Sequence, residues 1–267
     1  MTSSSPEIIQ TINLAVAILK KSQRTVALTG AGISTHSGIP DFRSPGIGLW
    51  NRFHPMEVAS LSAFRHNPEQ FYTWLHPLAI QMLTAQPNPA HIALAKLQNA
   101  GYISTIITQN IDGLHSRAGA ENVLEVHGTL GTLTCTNCYR QVSSTLIMED
   151  YINHCTIPHC QVCGSILKPD VILYEEQLPI KTWIKAEEAS KNCELMLVVG
   201  TSLEVMPSAK LPIQAIDQGA KLIILNNAVT FMDVRADVVI RADVAEILPQ
   251  IMNEVMNTSN IPTKYKV

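Results

Sequence analysis

Apolar positions recur in two rhythms along this chain, and the alternation between them predicts most of its elements. Ile8, Ile9, Ile12, Val16 and Leu19 fall at helical spacing behind Ser5 and Pro6, an N-cap and first-turn pair, so the spacing predicts a core-facing helix. Short, nearly continuous apolar runs follow at 26–28, 102–108, 171–173, 195–199, 222–225 and 238–240. Runs without polar alternation suit strands buried on both faces, the condition of a parallel sheet covered by helices. The intervening segments supply those helices: Asn88 and Pro89 can cap a helix over 90–99, and Gly101 ends it. The predicted class is α/β, with a Rossmann-like, doubly wound parallel sheet. Pro249 is expected to kink the last helix, and the tail after Asn257 to be loose.

Two segments break the rhythm. Residues 45–80 carry Trp50, Phe53, Phe64, Phe71, Tyr72 and Trp74 between Pro55, Pro68 and Pro77, a pattern of short helices packed as an insert. Residues 128–169 contain paired cysteines in place of the helical and strand patterns. The expected organisation is therefore a Rossmann-like domain from 1–44, 81–127 and 170–256, a helical insert with the cofactor loop at 45–80, a zinc-binding module at 128–169, and a tail at 257–267.

Composition narrows the class. A chain of 267 residues, 46% apolar and only 15% charged, suits one globular core with a small appendage. No apolar run approaches the ~20 residues of a membrane span, and no basic segment followed by an apolar one marks a signal peptide, so a cytoplasmic protein without membrane contact is expected. The net charge of −3 argues against a sequence-independent grip on nucleic acid. A cysteine-rich module could instead bind DNA, but from 128 to 170 the positive residues are Arg140 and Lys168, against Glu149, Asp150 and Asp170. No phosphate-binding surface is expected there.

Within that module, Cys135 and Cys138 form one C-x-x-C pair and Cys160 and Cys163 another. Two such pairs can close four thiolates around one zinc, and four cysteines leave no open position for catalysis, so the metal is structural. A redox motif needs one pair, not two. His154, Cys155 and His159 lie nearby but have no partner two residues away and are read as loop residues.

The candidate chemistry is concentrated after the first apolar run, in Thr29-Gly30-Ala31-Gly32-Ile33-Ser34-Thr35. Glycines after a strand allow close backbone approach to a ligand, and a helix starting there would aim the N–H groups of Ile33, Ser34 and Thr35 at an anion such as a diphosphate. A tight turn is the plainer alternative. The ordinary dinucleotide fingerprint fails, because its third glycine would fall on Thr35 and no acidic strand end follows ~20 residues on, which counts against hydride transfer. Beyond the loop, Asp41, Phe42 and Arg43 bring together a carboxylate, an aromatic ring and a guanidinium. A second cluster, Thr108-Gln109-Asn110-Ile111-Asp112-Gly113-Leu114-His115, ends the 102–108 run, and a third, Glu125-Val126-His127-Gly128, precedes the cysteines.

Taken in this order, with Gly200-Thr201-Ser202-Leu203 and Asn226 after the cysteines, these strings resemble the sirtuin family, the NAD-dependent protein deacylases, over nearly the whole chain. The resemblance implies an NAD-dependent protein-lysine deacetylase that releases nicotinamide and O-acetyl-ADP-ribose. NAD hydrolysis or mono-ADP-ribosylation in the same pocket is the alternative. It also implies that Gly30 through Thr35, with Gly200, Thr201 and Ser202, hold the diphosphate, and that Asn226 holds the adenosine ribose while the backbone near Val244 borders the adenine. Ile111, Asp112 and Phe42 would line the nicotinamide pocket, with Asp41, Arg43 and Gln109 also near the cofactor. His127 would be the general base, its reference pKa of ~6.5 suiting it to neutral pH, and Asn110 would orient the water or hydroxyl. The acyl-lysine peptide would add as a strand between 171–176 and 203–205. Four positions depart from the family or from its acid-acyl branch. Glu175 stands where the family has glycine, and would cost ~1 to 2 kcal/mol if that position has a positive φ. Ala242 stands where glycine is common. Leu75 and Leu78 occupy the sites of the Tyr-x-x-Arg pair that suits succinyl and malonyl groups, so acetyl is the expected acyl group.

Overall fold

The computed structural model describes residues 6–41, 51 and 53–257. In chain order the elements are α1 (Pro6–Lys21), β1 (Thr25–Thr29), α2 (Pro55–Val58), α3 (Leu61–His66), α4 (Pro68–Thr84), α5 (Pro89–Asn99), β2 (Thr105–Thr108), α6 (Leu114–Arg117), β3 (Val123–Glu125) and β4 (Gly128–Cys135). They continue with β5 (Gln141–Ser143), α7 (Met148–His154), β6 (Leu167–Val171), α8 (Ile180–Asn192), β7 (Leu195–Val199), α9 (Lys210–Asp217), β8 (Lys221–Leu225), β9 (Val238–Ile240) and α10 (Val244–Asn257). Ser5, Phe42, Arg43, Trp50 and the tail from 258 lie outside the described residues.

Six strands form a parallel sheet in the order β3-β2-β1-β7-β8-β9. The chain runs outward from β1 on one side, then returns to β7 and runs outward on the other, which makes the β1/β7 boundary the topological switch point. Alternation along the central strands explains the unbroken apolar runs. Ala27, Leu195, Leu197, Val199, Ile223 and Leu225 face a core shared with α1, α5 and α10. Val26, Leu28, Met196, Val198, Leu222 and Ile224 face the opposite core, with α8 and α9. Both faces of the central strands are dry, so the runs at 26–28, 195–199 and 222–225 show no polar alternation.

The run at 171–173 does not belong to this sheet. Val171 ends β6, which pairs antiparallel with β4 in a three-stranded sheet of order β5-β4-β6. An apolar run looks the same in either sheet; only the pairing differs. This smaller sheet shares a third core with α4, in which Phe71, Tyr72, Leu75 and Leu78 meet Leu133, Tyr151 and Leu167. Tyr72 donates its hydroxyl hydrogen to the Leu167 carbonyl, and its ring packs edge-on against Phe71 and Tyr151. Insert and cysteine module are therefore packed as one layer beside the main sheet.

Candidate active site

The carboxyl ends of β1, β2, β7 and β8 open into a cavity of about 680 Å³, within the size range of cofactor and substrate sites. At the switch point the loops after β1 and β7 stack directly. Gly30 N–H donates to Val199 O (3.2 Å) and Gly32 N–H to Gly200 O (2.9 Å). A Cβ on Gly30 would lie 2.6 Å from Thr201 Cβ, and one on Gly32 would lie 2.8 Å from Gly200 O. The glycines are needed so that one loop can lie on the other, before any ligand is considered.

The segment after Gly30 is not the start of an α-helix. It forms two short 3-10 turns, Ala31–Ile33 and Thr35–Ser37. Ile33 N–H donates to Gly30 O and Ser34 N–H to Ala31 O, so these groups are turned into the loop and not outward as expected. A three-residue turn also sums few peptide dipoles. Asn88 secures the segment from below: its Nδ2 donates to Ile33 O (2.7 Å) and Ser37 Oγ (3.0 Å), while its Oδ1 caps α5 at Ala90 N–H.

Gly30, Ala31, Gly32, Thr35, Asp41, Gln109, Asn110, Ile111, Asp112, His127, Gly200, Thr201, Ser202, Asn226 and Val244 all line the cavity. Phe42 and Arg43 lie outside the described residues. Ser34 is not among the lining residues: it is buried beneath them as a junction. Its hydroxyl donates to Asp112 Oδ2 (2.7 Å) and accepts from Asn110 Nδ2 (3.0 Å), which also reaches Gly30 O (3.2 Å). Asp112 Oδ1 accepts the Leu114 N–H at 2.9 Å. Burial raises the Asp112 carboxyl pKa, against the lowering effect of these two donors. Each carboxylate oxygen keeps a second lone pair for a ligand N–H. Asn110 spends its amide hydrogens on the protein, leaving its Oδ1 as the acceptor that can hold a water or hydroxyl.

Two buried histidines lie beneath this floor: His115, which closes the second cluster but was given no role there, and His91, which no motif singled out. His91 completes the capping box of α5 and lies edge-on to His115 at 5.0 Å, and His115 Nε2 bonds the Thr29 hydroxyl at 2.9 Å. Burial pushes them down to about 4 and about 3, with Arg117 adding at His91 and His91 at His115, so both are neutral at pH 7. The signal for His91 was its place three residues after Asn88, the third helical position.

His127 has a defined orientation. Its Nδ1 is 3.1 Å from the Gln109 carbonyl, which can only accept, so the neutral ring carries its hydrogen on Nδ1 and a lone pair on Nε2. Nε2 lies 3.2 Å from the hydroxyl of Ser208, a fully buried partner that no motif announced. Farther along, Ile39, Phe71, Trp74, Leu75, Leu78 and Met82 form an apolar arm. The described lining includes no Lys or Arg. At the lip lie Tyr174, Glu175 and Glu176 on one side and Glu204, Val205 and Met206 on the other.

A model of the Sir2 family matches residues 30–207. NAD-dependent protein deacylase 2 of Archaeoglobus fulgidus is 45% identical over 245 residues, 91% of this chain and 96% of that protein. This chain belongs to the Sir2 family. The NAD-dependent protein deacetylase of Sulfurisphaera tokodaii is 41% identical to this sirtuin over 236 residues, 88% of this chain and 92% of that protein. A solved Sir2 complex with a peptide and NAD+ is 36% identical, with a TM-score of 0.81 over 94% of this chain and 98% of that one.

The sirtuin's four paired cysteines suit a metal. The Sγ atoms of Cys135, Cys138, Cys160 and Cys163 all lie within 4.8 Å of one another, with Cys135 to Cys163 at 3.4 Å and Cys138 to Cys160 at 3.7 Å. Tetrahedral zinc with Zn–S bonds of ~2.3 Å places its thiolates about 3.8 Å apart. The N–H groups of Asn137 and Cys138 point at Cys135 Sγ, and the Ser165 N–H and hydroxyl lower the Cys163 thiol to about 6. At Cys163 the Ser165 donors favour the thiolate that zinc requires. Cys155, His154 and His159 are not part of the cluster. As for the family departure at Glu175, its φ is 73°, the left-handed backbone a glycine would adopt without strain.

Proposed function

We propose that this sirtuin is an NAD-dependent protein-lysine deacetylase, releasing nicotinamide and O-acetyl-ADP-ribose. Bound NAD supplies an electrophilic ribose carbon with nicotinamide as leaving group, and the acyl group ends on ADP-ribose. Thr35, Thr201 and Ser202 offer hydroxyls to its diphosphate beside the stacked glycines, and Asn226 and the Val244 backbone border the adenosine. Asp112 accepts a carboxamide N–H, and Asn110 Oδ1 holds the water or hydroxyl that its Nδ2 cannot.

The observation that carries this reading is the orientation of His127. The Gln109 carbonyl holds the ring hydrogen on Nδ1, so Nε2 is the basic nitrogen, in the same cavity as the cofactor loops and the apolar arm. A base there takes the proton of a ribose hydroxyl, and Ser208 O–H steadies the lone pair until that proton arrives. The four-cysteine cluster would hold one structural zinc, and none of its cysteines lines the cavity. Acyl-lysine peptides are the substrates, seated at the lip between 171–176 and 203–205. The cytoplasm suits all six thiols, which are free, four of them grouped as metal ligands. The test is incubation with NAD and an acetyl-lysine peptide, measuring nicotinamide and deacetylated peptide together. Equal amounts are expected; nicotinamide without peptide conversion would replace the reading with NAD hydrolysis or ADP-ribosyl transfer.

A further inference from the structure

The first turn of α3 is capped by another part of the chain. Leu61 N–H donates to Tyr174 O (3.0 Å) and Ser62 N–H to Glu175 Oε2 (2.9 Å), while Ala63 N–H finds Ser60 Oγ (3.0 Å). Two of the first three N–H groups of α3, all among those a helix start leaves without an intrahelical partner, are thus met by the 174–175 loop. The reverse contact, Tyr174 N–H to Ala59 O at 2.9 Å, makes this docking a short parallel bridge between Ser60 and Tyr174.

Glu175 sits at φ 73°, a backbone state that a non-glycine residue holds only when its surroundings demand it. The demand is visible in the Ser62 bond, which the side chain makes from that backbone. Its neighbour fixes the other side of the loop: Glu176 Oε2 accepts Leu173 N–H at 2.8 Å and pairs with Lys168 Nζ at 2.9 Å. Tyr174, Glu175 and Glu176 all line the cavity, so this doubly tied segment is its lip.

We propose that Glu175 is a positioning residue for the acyl-lysine peptide: its carboxylate locks the 171–176 loop onto α3, so the edge to which an extended substrate adds is set before the substrate arrives. The proposal rests on the deacetylase reading above. Strand addition gains from a preformed edge, because ordering the loop is then no part of binding. The effect belongs to the peptide and not to NAD, whose contacts lie on other loops.

The test compares wild type, Glu175→Gly and Glu175→Gln for peptide KM, NAD KM, melting temperature, and Kd for a fluorescent acetyl-lysine peptide by anisotropy. Glycine keeps the backbone conformation and deletes the carboxylate, and is expected to raise peptide KM and Kd at least ~5-fold with NAD KM within about twofold. Glutamine keeps an acceptor for Ser62 N–H and is expected to restore most of that loss. Unchanged peptide KM and Kd in Glu175→Gly overturn the proposal. So does a parallel rise of both KM values with a lower melting temperature, which marks a general fold contribution. A wild-type chain that binds the peptide but leaves it unconverted sinks the deacetylase reading while the Kd comparison still decides the lock. A wild type that binds no such peptide overturns both.

Discussion

Replacing the acetyl group of a peptide substrate by succinyl places a carboxylate in the arm formed by Phe71, Trp74, Leu75, Leu78 and Met82. Apart from the single indole N–H of Trp74 these side chains are apolar, and none carries a charge to replace water around an anion. The described lining holds no Lys or Arg but includes Asp41, Asp112, Glu175, Glu176, Glu204 and Asp243, so the local field is unfavourable as well. Leaving a carboxylate unpaired in such surroundings costs several kcal/mol, reduced where water follows it or where it binds protonated. A conservative remainder of about 2.7 kcal/mol corresponds to a ~10²-fold difference in kcat/KM. Matched acetyl-lysine and succinyl-lysine peptides, followed by initial rates at saturating NAD, should therefore differ at least that much in favour of acetyl. The variant Leu78→Arg, which brings a guanidinium into the arm, should narrow the ratio by raising the succinyl value. Equal kcat/KM for the two peptides would mean that a cation already reaches the arm, and the argument from its lining would be wrong.

His127→Ala should retain fold and bound zinc but lose at least ~10²-fold in deacetylation, and near-normal turnover would remove His127 from the mechanism. Metal analysis should find one zinc per chain in wild type and in Cys155→Ser but none held stoichiometrically in Cys163→Ser; loss of metal from the Cys155 variant would enlarge the ligand set. Gly128→Ala would put a Cβ 2.0 Å from Asp170 O at φ +77°, so its unfolding free energy should fall by at least ~2 kcal/mol, and an unchanged denaturation midpoint would refute the packing described. The fourth test concerns pH. His91 and His115 are held neutral with depressed values of about 4 and about 3, whereas in the unfolded chain they titrate near ~6.5. The unfolded state thus binds more protons as pH falls below ~6.5, and stability drops through that window by up to about 4 kcal/mol between pH ~7 and ~5. Asp112 and Glu125, raised by burial, act in the opposite sense, so that figure is an upper limit. Denaturant unfolding with no loss of stability over this range would mean that the two imidazoles are charged in the fold.

The strands most legible in the sequence were those buried on both faces, because dryness on each side leaves no polar alternation to confuse the pattern. β3 was missed for the converse reason: it is a three-residue edge strand, only half-buried, and ends in Glu125. The 171–173 run was placed in the wrong sheet because an apolar stretch does not name its partner strand. Near the cofactor loop, the glycine string pointed correctly to the cavity, but the stacking on Gly200 and the 3-10 turns depend on a segment far along the chain. The same distance hid the role of Ser34, whose partners are Asp112 and Asn110, and the Ser208 contact to His127. Residue identities suggested which chemistry to look for; the hydrogen on Nδ1 of His127 follows only from the carbonyl beside it.

Helix α4 serves two neighbours at once. Leu75 and Leu78 shape the arm beside the cavity, and Tyr72, on the same helix, is tied to the carbonyl of Leu167 between the cysteine pairs and the lip. Extracting zinc from the four-cysteine cluster would loosen the very strand against which that helix rests, although none of those cysteines lines the cavity. A chelator would then silence this enzyme as a builder silences a room by removing the wall behind it. Inhibition by metal removal is accordingly no sign of metal chemistry here, and screens that score such compounds as active-site ligands would misassign them.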